Sequence, residues 1–196
     1  MKKLLLFTIL AVFSFSVNGQ NQGDLNVGVK AGANIATFTG EATDDHDVSS
    51  LTSFNAGFLM RYFFIKSLAF QAELLYGGHG GKESFNNNLT TYRFASLFLP
   101  LMINYYISSF YFTGGPTLSY LLTAQVKSMG NTYNNLDYYK RFNIAIALGL
   151  GYMITNSIGF DARYNWGLND INENSGGAAL HNNILMFSLF FLFNQK

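Results

Sequence analysis

Three histidines, His46, His79 and His181, are the chain's only imidazoles. Acyl-transfer chemistry would need one of them within hydrogen-bond reach of a serine hydroxyl, with a third group orienting the ring. His79 has Ser84 and Glu83 close in sequence, and His46 has Ser49 and Ser50. All three histidines fall in segments read as loops, where a solvated imidazole is the plainer reading. The run Glu41-Ala42-Thr43-Asp44-Asp45-His46-Asp47 could offer oxygens to calcium, but it lacks the spacing and glycine of a dedicated calcium loop. Gly77-Gly78-His79-Gly80-Gly81 leads into no helix N-terminus and so cannot cradle phosphate. The expected sets of catalytic, cofactor-binding and metal-binding residues are therefore empty. Asn86-Asn87-Asn88 and Asn134-Asn135, with Tyr92, Tyr133, Tyr138 and Tyr139 nearby, are of a kind that contacts glycans or proteins.

The remaining candidates are charges inside strand-like segments: Lys30, Arg61, Glu73, Arg141, Asp161 and Arg163. What they can do depends on the elements that carry them. Seven connections, at 39–51, 65–67, 77–91, 107–109, 125–138, 155–157 and 169–181, separate eight segments of period-two alternation. The connections alternate long and short, which places every long loop at one end of an up-and-down barrel. Residues 1–19 have a basic start, an apolar run and Gly19 before Gln20, and read as a secretory signal ahead of a barrel domain over 20–196.

Each segment has one bulky apolar face. Phe54, Ala56, Phe58, Met60, Tyr62 and Phe64 oppose Ser53, Asn55, Gly57 and Arg61, and Phe142, Ile144, Ile146, Leu148, Leu150 and Tyr152 oppose Arg141, Asn143, Ala145, Ala147, Gly149 and Gly151. The least clean is the fourth, where Phe98, Pro100, Met102 and Asn104 lie opposite Leu97, Leu99, Leu101, Ile103 and Tyr105. Small residues suit a crowded concave interior and bulk suits a convex wall against lipid. The apolar faces carry no charge, and only 12% of the chain is charged while 17% is aromatic, so a soluble barrel lacks the outer charge it needs. The ten residues Ile184 to Phe193 fit a spanning strand, not a spanning helix. The fold expected is an all-β, eight-stranded antiparallel up-and-down transmembrane barrel.

Residues 67–77 and 157–167 resemble one another at an offset of 90 residues, four strands, as an internal duplication would produce, and with or without duplication the third and seventh strands stand on opposite walls of an eight-strand barrel. Glu73 and Arg163 then occupy equal heights across the lumen. With Arg61 and Asp161 nearby they are expected to form an ion network that plugs it, because an unpaired buried charge is expensive.

Phe70-Gln71-Ala72-Glu73-Leu74-Leu75-Tyr76, Leu99-Pro100-Leu101-Met102-Ile103, Gly114-Gly115-Pro116, Gly149-Leu150-Gly151-Tyr152 and Ala162-Arg163-Tyr164-Asn165-Trp166-Gly167-Leu168 follow in order. Together they resemble the outer-membrane β-barrel domain common in Bacteroidetes and often called the PorT-like family, over about residues 24–193. Two positions depart from that pattern: Phe98 stands where a carboxylate is common, and Asn143 where an Asp is frequent. The resemblance implies an outer-membrane location after signal cleavage, and its named member is associated with protein secretion. The expectation is a non-enzymatic barrel, structural, adhesive or supporting secretion or surface assembly, with long loops outside the cell and both termini periplasmic. Its partners would be outer-membrane lipid and an unidentified envelope or secretion protein, with no cofactor and, at a formal net charge of +1, no nucleic acid. The alternatives are a small outer-membrane lipid-modifying enzyme and a soluble periplasmic ligand-binding barrel.

Overall fold

A computed structural model describes residues 22–40, 47–85, 88–128, 131–173 and 179–193. Residues 1–19, expected to be a signal, His46 and most of the acidic run lie outside the described residues. Ten strands follow in chain order: β1 (Leu25–Thr39), β2 (Asp47–Ser49), β3 (Leu51–Ile65), β4 (Leu68–Phe85), β5 (Asn88–Ile107), β6 (Phe110–Ser128), β7 (Asn131–Asn134), β8 (Phe142–Met153), β9 (Ile158–Gly167) and β10 (His181–Leu192). Eight of them close a ring in the order β1-β3-β4-β5-β6-β8-β9-β10, antiparallel throughout, with β1 paired to both β3 and β10. Closure removes the free edges that an open sheet of this size would expose.

The two faces of each strand fall as their alternation predicts. Outward bulk runs over Leu25–Ile35 on β1, Phe54–Phe64 on β3, Leu68–Tyr76 on β4, Leu97–Ile107 on β5, Phe110–Tyr120 on β6, Phe142–Tyr152 on β8, Ile158–Trp166 on β9 and Leu185–Phe193 at β10. These spans match the roughly 9–11 residues that carry a tilted strand across a bilayer. Among the described residues no helix is long and apolar enough to cross a membrane.

Three connections are tight: Lys66–Ser67, Ser108–Ser109 and 154–157. At the other end the structure corrects the reading of 77–91 and 125–138 as loops. There β4 and β5 continue as a hairpin to Phe85 and Asn88, and β6 runs on to Ser128 and turns back as β7. With β2 on its far edge, this side becomes a sheet β2-β4-β5-β6-β7 standing beyond the apolar spans. The glycine run at 77–81 does not end β4 because Gly80, at φ +130°, absorbs a conformation closed to other residues and lets pairing continue on both sides of it.

The interior holds more bulk than a small, polar inner face implies. Near the tight turns Leu59, Phe63, Tyr106, Tyr111, Met153, Phe190 and Leu192 pack together. Further along lie Ala36, Leu75, Phe98, Ile184 and Met186, and at the long-loop end Phe38, Phe94, Leu121, Ala124 and Ile171. Small inner residues make this possible by standing beside large ones. Gly28 pairs with Leu59 and Leu192, Gly149 with Arg163 and Thr113, and Gly151 with Asp161 and Tyr111. A Cβ at Gly151 would overlap the phenol end of Tyr111 at its Cζ.

Candidate functional site

Between the first two apolar layers lies a layer of charge. β4 and β9 stand four strands apart in the ring, and β1 lies midway between them with one strand on either side. Period two sends Glu73, Asp161, Arg163 and Lys30 inward from these three strands, and all four are buried. Lys30 Nζ donates to Asp161 Oδ2 at 2.6 Å and to Glu73 Oε1 at 3.1 Å. Arg163 donates through Nε to Asp161 Oδ1 at 3.2 Å and through Nη2 to Asp161 Oδ2 at 3.0 Å, and Nη2 also reaches Glu73 Oε1 across the lumen. The Tyr111 hydroxyl donates to Asp161 Oδ2 at 3.2 Å. Two carboxylates thus face two cations in a cluster that joins three walls.

Arg61 stands apart from the carboxylates. Its Nε donates to Gln71 Oε1 at 2.6 Å, and Asn104 Nδ2 donates to the same oxygen at 3.0 Å. Gln71 in turn donates through Nε2 to Glu73 Oε1, so the link to the charge layer is indirect. The guanidinium lies over the rings of Phe190, Tyr111 and Tyr106, 4.8, 5.4 and 5.8 Å from their centroids, where ring quadrupoles favour a cation. The layer therefore brings Glu73, Asp161 and Arg163 into contact and places Arg61 one step toward the tight turns.

Lys30 joins a group to which the sequence pattern did not assign it. Its inward phase is visible, but a lysine on β1 meets β4 and β9 only once the ring is closed and the register is set. Arg141, expected as an inner residue, lies before β8, half exposed and 3.6 Å from Asp137 in an i, i+4 pair. The reason is that pairing of β8 with β6 begins at Phe142, so Arg141 belongs to the preceding connection.

His79 is also corrected. It is a buried strand residue, not a loop residue, and Ser84 and Glu83 are not its partners. Its Nε2 lies 2.8 Å from Ser96 Oγ and its Nδ1 lies 3.2 Å from Asn182 Oδ1. That is the order of hydroxyl, base and orienting amide that acyl transfer requires. Access decides against it: Ser96 is 1% exposed, and Phe94 and Phe98 set their rings 5.5 Å from the imidazole. The adjoining cavity of about 40 Å³, lined by His79, Phe98, Thr117, Asn165 and Asn182, has room for water and not for an acyl chain. His181 is partly buried, its Nδ1 3.1 Å from the Asn169 carbonyl. Among the described residues no group of three or more His, Asp or Glu side chains could hold a metal ion.

Above this cavity the long-loop end is capped. Phe38, Tyr92, Phe94 and Tyr139 meet at ring distances of 4.8 to 5.9 Å. The Tyr92 hydroxyl donates to Glu83 Oε2 at 2.9 Å, and burial together with that carboxylate raises its pKa. Burial, and Glu83 nearby, push Tyr139 up to about 12. Asp170 ties the connection after β9, accepting from the amides of Leu180 and Asn172 at 3.0 and 3.1 Å. Partial burial opposes its charge, but those amides and the nearby Lys140 and His181 outweigh it and hold its carboxyl below the ordinary value.

A closed ring of eight strands with bulk outward and charge inward is the signature of a small outer-membrane barrel, and residues 18–173 match the family model for the outer membrane protein beta-barrel domain. The chain belongs to that family. Among solved structures this outer-membrane barrel is similar to Neisserial surface protein A, with a TM-score of 0.57 and 17% identity over 85% of this chain and 97% of that one. It is similar to Ail, the attachment invasion locus protein of Yersinia pestis, in complex with the heparin analogue sucrose octasulfate, with a TM-score of 0.53 and 16% identity over 88% of this chain and 99% of that one. OprG from Pseudomonas aeruginosa gives 0.53 and 13% over 91% and 100%. At such identities these likenesses establish the fold. No protein of curated function matches the sequence. The outward apolar spans and the family together place the barrel in the outer membrane.

Proposed function

We propose that this outer-membrane barrel passes no solute and acts through the wall and loops it presents, as a non-enzymatic structural or adhesive element or a support for secretion or surface assembly. The observation that carries the reading is the Lys30–Glu73–Asp161–Arg163 cluster, which joins three walls of the lumen at mid-height. Apolar layers on both sides of it add to the obstruction. An eight-stranded barrel is just wide enough for side chains to fill, whereas water-filled porins have about twice as many strands. We place the end that carries the extended β4–β5 hairpin, β7 and the connections after β1 and β9 outside the cell, and both termini in the periplasm, as the gathering of the three tight turns at the opposite end supports. Loss of a signal over residues 1–19 and membership of the PorT-like branch found in Bacteroidetes belong to the same reading.

Contact with a partner then falls to the sheet β2-β4-β5-β6-β7, whose outer strand β7 exposes all four residues, Tyr133 among them. An envelope or secretion protein is the partner class this suits. The test is conductance of the purified barrel in planar bilayers. Currents far below those of a general porin are expected, and porin-like currents would overturn the closed-lumen reading. The order of Ser96, His79 and Asn182 would suit one competing role, modification of lipid, against which their burial and the small adjoining cavity speak. Unchanged membrane lipid after His79→Ala would remove it.

A further inference from the structure

The outward face of β4, β5 and β6 changes character above the apolar spans. Tyr76, Leu97 and Tyr120 form one cross-strand row at their upper limit. The next outward positions are small, with Gly78 paired to Ala95 and Ala95 to Thr123. Beyond them come three cations, Lys82 on β4, Arg93 on β5 and Lys127 on β6. Lys82 and Lys127 both pair with Thr91, so they flank it in a single row, their Cα atoms about 10 Å apart at the usual strand spacing. Arg93 stands on β5 between them, two residues nearer the apolar row.

Among the described residues none of the three cations makes an ion pair. Arg93 and Lys127 are exposed and Lys82 is half-exposed. The neighbouring Glu83 serves the opposite face of the sheet, where Tyr92 donates to it. Asp47 pairs with Ser84, one outward position farther from the apolar row than Lys82. On β1, β3 and β10 the corresponding outward positions are Thr37 and Thr39, Thr52, and His181 and Asn183, with no lysine or arginine, and before β8 Arg141 is paired with Asp137 and Lys140 lies near Asp170. Three cations thus share one three-stranded wall, with Gly78, Ala95 and Thr123, and Leu122 at a bulge of β6, between them and the lipid-facing rings.

We infer that Lys82, Arg93 and Lys127 form a docking site for the anionic headgroup of an outer-leaflet lipid bearing phosphate, whose acyl chains lie against Tyr76, Leu97 and Tyr120. Clustered basic side chains beside a membrane surface bind anionic headgroups in this way, and three cations within reach of one headgroup add their attractions. The site rests on the orientation given above, with the extended β4–β5 hairpin outside the cell.

The test uses the full chain, folded in neutral detergent and mixed with phosphorylated lipid A, with the same lipid stripped of phosphate, or with a soluble sulfated sugar. Bound lipid is read by native mass spectrometry. Wild type is expected to retain phosphorylated lipid A, and the triple variant K82Q/R93Q/K127Q, whose changes are all at the surface, to hold it roughly a hundredfold more weakly. Equal retention by the triple variant, or equal retention of the phosphate-free lipid, would overturn the site. Displacement of the lipid by the sulfated sugar at lower concentration would reassign it to a soluble polyanion. Because the chain has no cysteine, labelling of Thr91→Cys on intact cells tests the orientation separately. Failure of external reagent to label this variant, while lipid retention persists in detergent, would sink the orientation and leave the headgroup site standing as a property of the wall.

Discussion

Two groups of charges in this barrel use similar residues to opposite effect. Lys30 and Arg163 lie buried at mid-lumen, each within reach of both Glu73 and Asp161, while Lys82, Arg93 and Lys127 stand on the outer wall without ion pairs among the described residues. Taking a charge out of water costs several kcal/mol, so the inner set persists only because the cations and carboxylates share hydrogen bonds. The outer set keeps its hydration and bears no such constraint, which leaves it available to a partner. The same side chain is therefore a fastening in one place and an open contact in the other, and the environment decides which.

The largest expected difference comes from removing one inner carboxylate. Glu73→Ala leaves Lys30 and Arg163 sharing Asp161 alone, and should cost about 3–5 kcal/mol, the usual cost of breaking a buried pair from one side. Lys82→Gln should change stability by no more than about 0.5 kcal/mol. Urea unfolding of both variants in the same detergent checks the contrast. If the two variants unfolded at the same urea concentration, the inner cluster would have no special role. Replacing the whole cluster by apolar residues of similar volume should restore much of the loss, since the desolvation term then disappears.

A smaller effect is expected one position along β8. Gly151 stands beside both Asp161 and Tyr111, and a methyl group there would overlap the phenol end of Tyr111. Gly151→Ala should force that ring off the Asp161 carboxylate and destabilise by about 1–3 kcal/mol, as overpacking does. Tyr111→Ala opens a cavity and is costly by itself, but in that background Gly151→Ala should cost little further, because the ring it would meet is gone. An equal cost of Gly151→Ala with and without the Tyr111 ring would show that the glycine is not there to admit it.

The positions of these groups are legible in the sequence to different degrees, for physical reasons. Outward phase is readable on every ring strand because lipid imposes the same requirement along the whole span, even at Phe98 and Met102, where the inner face is apolar too. The facing of Glu73 and Arg163 follows from an even offset of four strands. Lys30 is legible as an inward charge but not as a member of the network, because its partners sit two strands away in each direction and nothing local in Val29-Lys30-Ala31 announces them. His79 is misplaced because five residues containing four glycines look like a loop, whereas one positive φ at Gly80 keeps the strand intact. The extended wall beyond the membrane is hidden with it, since its inner face is stabilised by Phe38 and Ile171, residues remote in sequence from β4 and β5.

The smallest effect concerns Asp170, which resembles the inner carboxylates in having fixed partners and the outer cations in being partly open to solvent. Its folded pKa is depressed below the ordinary value, so the stability it contributes is present above its unfolded pKa and is lost as pH falls through the folded one. Lowering the pH from about 6 to below about 4, where aspartate ordinarily titrates, should loosen the connection after β9 before the barrel itself unfolds. Hydrogen exchange at the amides of Asn172 and Leu180, the two that donate to this carboxylate, reads the change directly. Asp170→Asn should weaken protection at neutral pH and reduce its dependence on pH. If protection at those amides were the same at about pH 6 and about pH 3 in the wild type, the carboxylate would be a bystander, and the connection would be held by the apolar cap formed around Ile171 and Leu180.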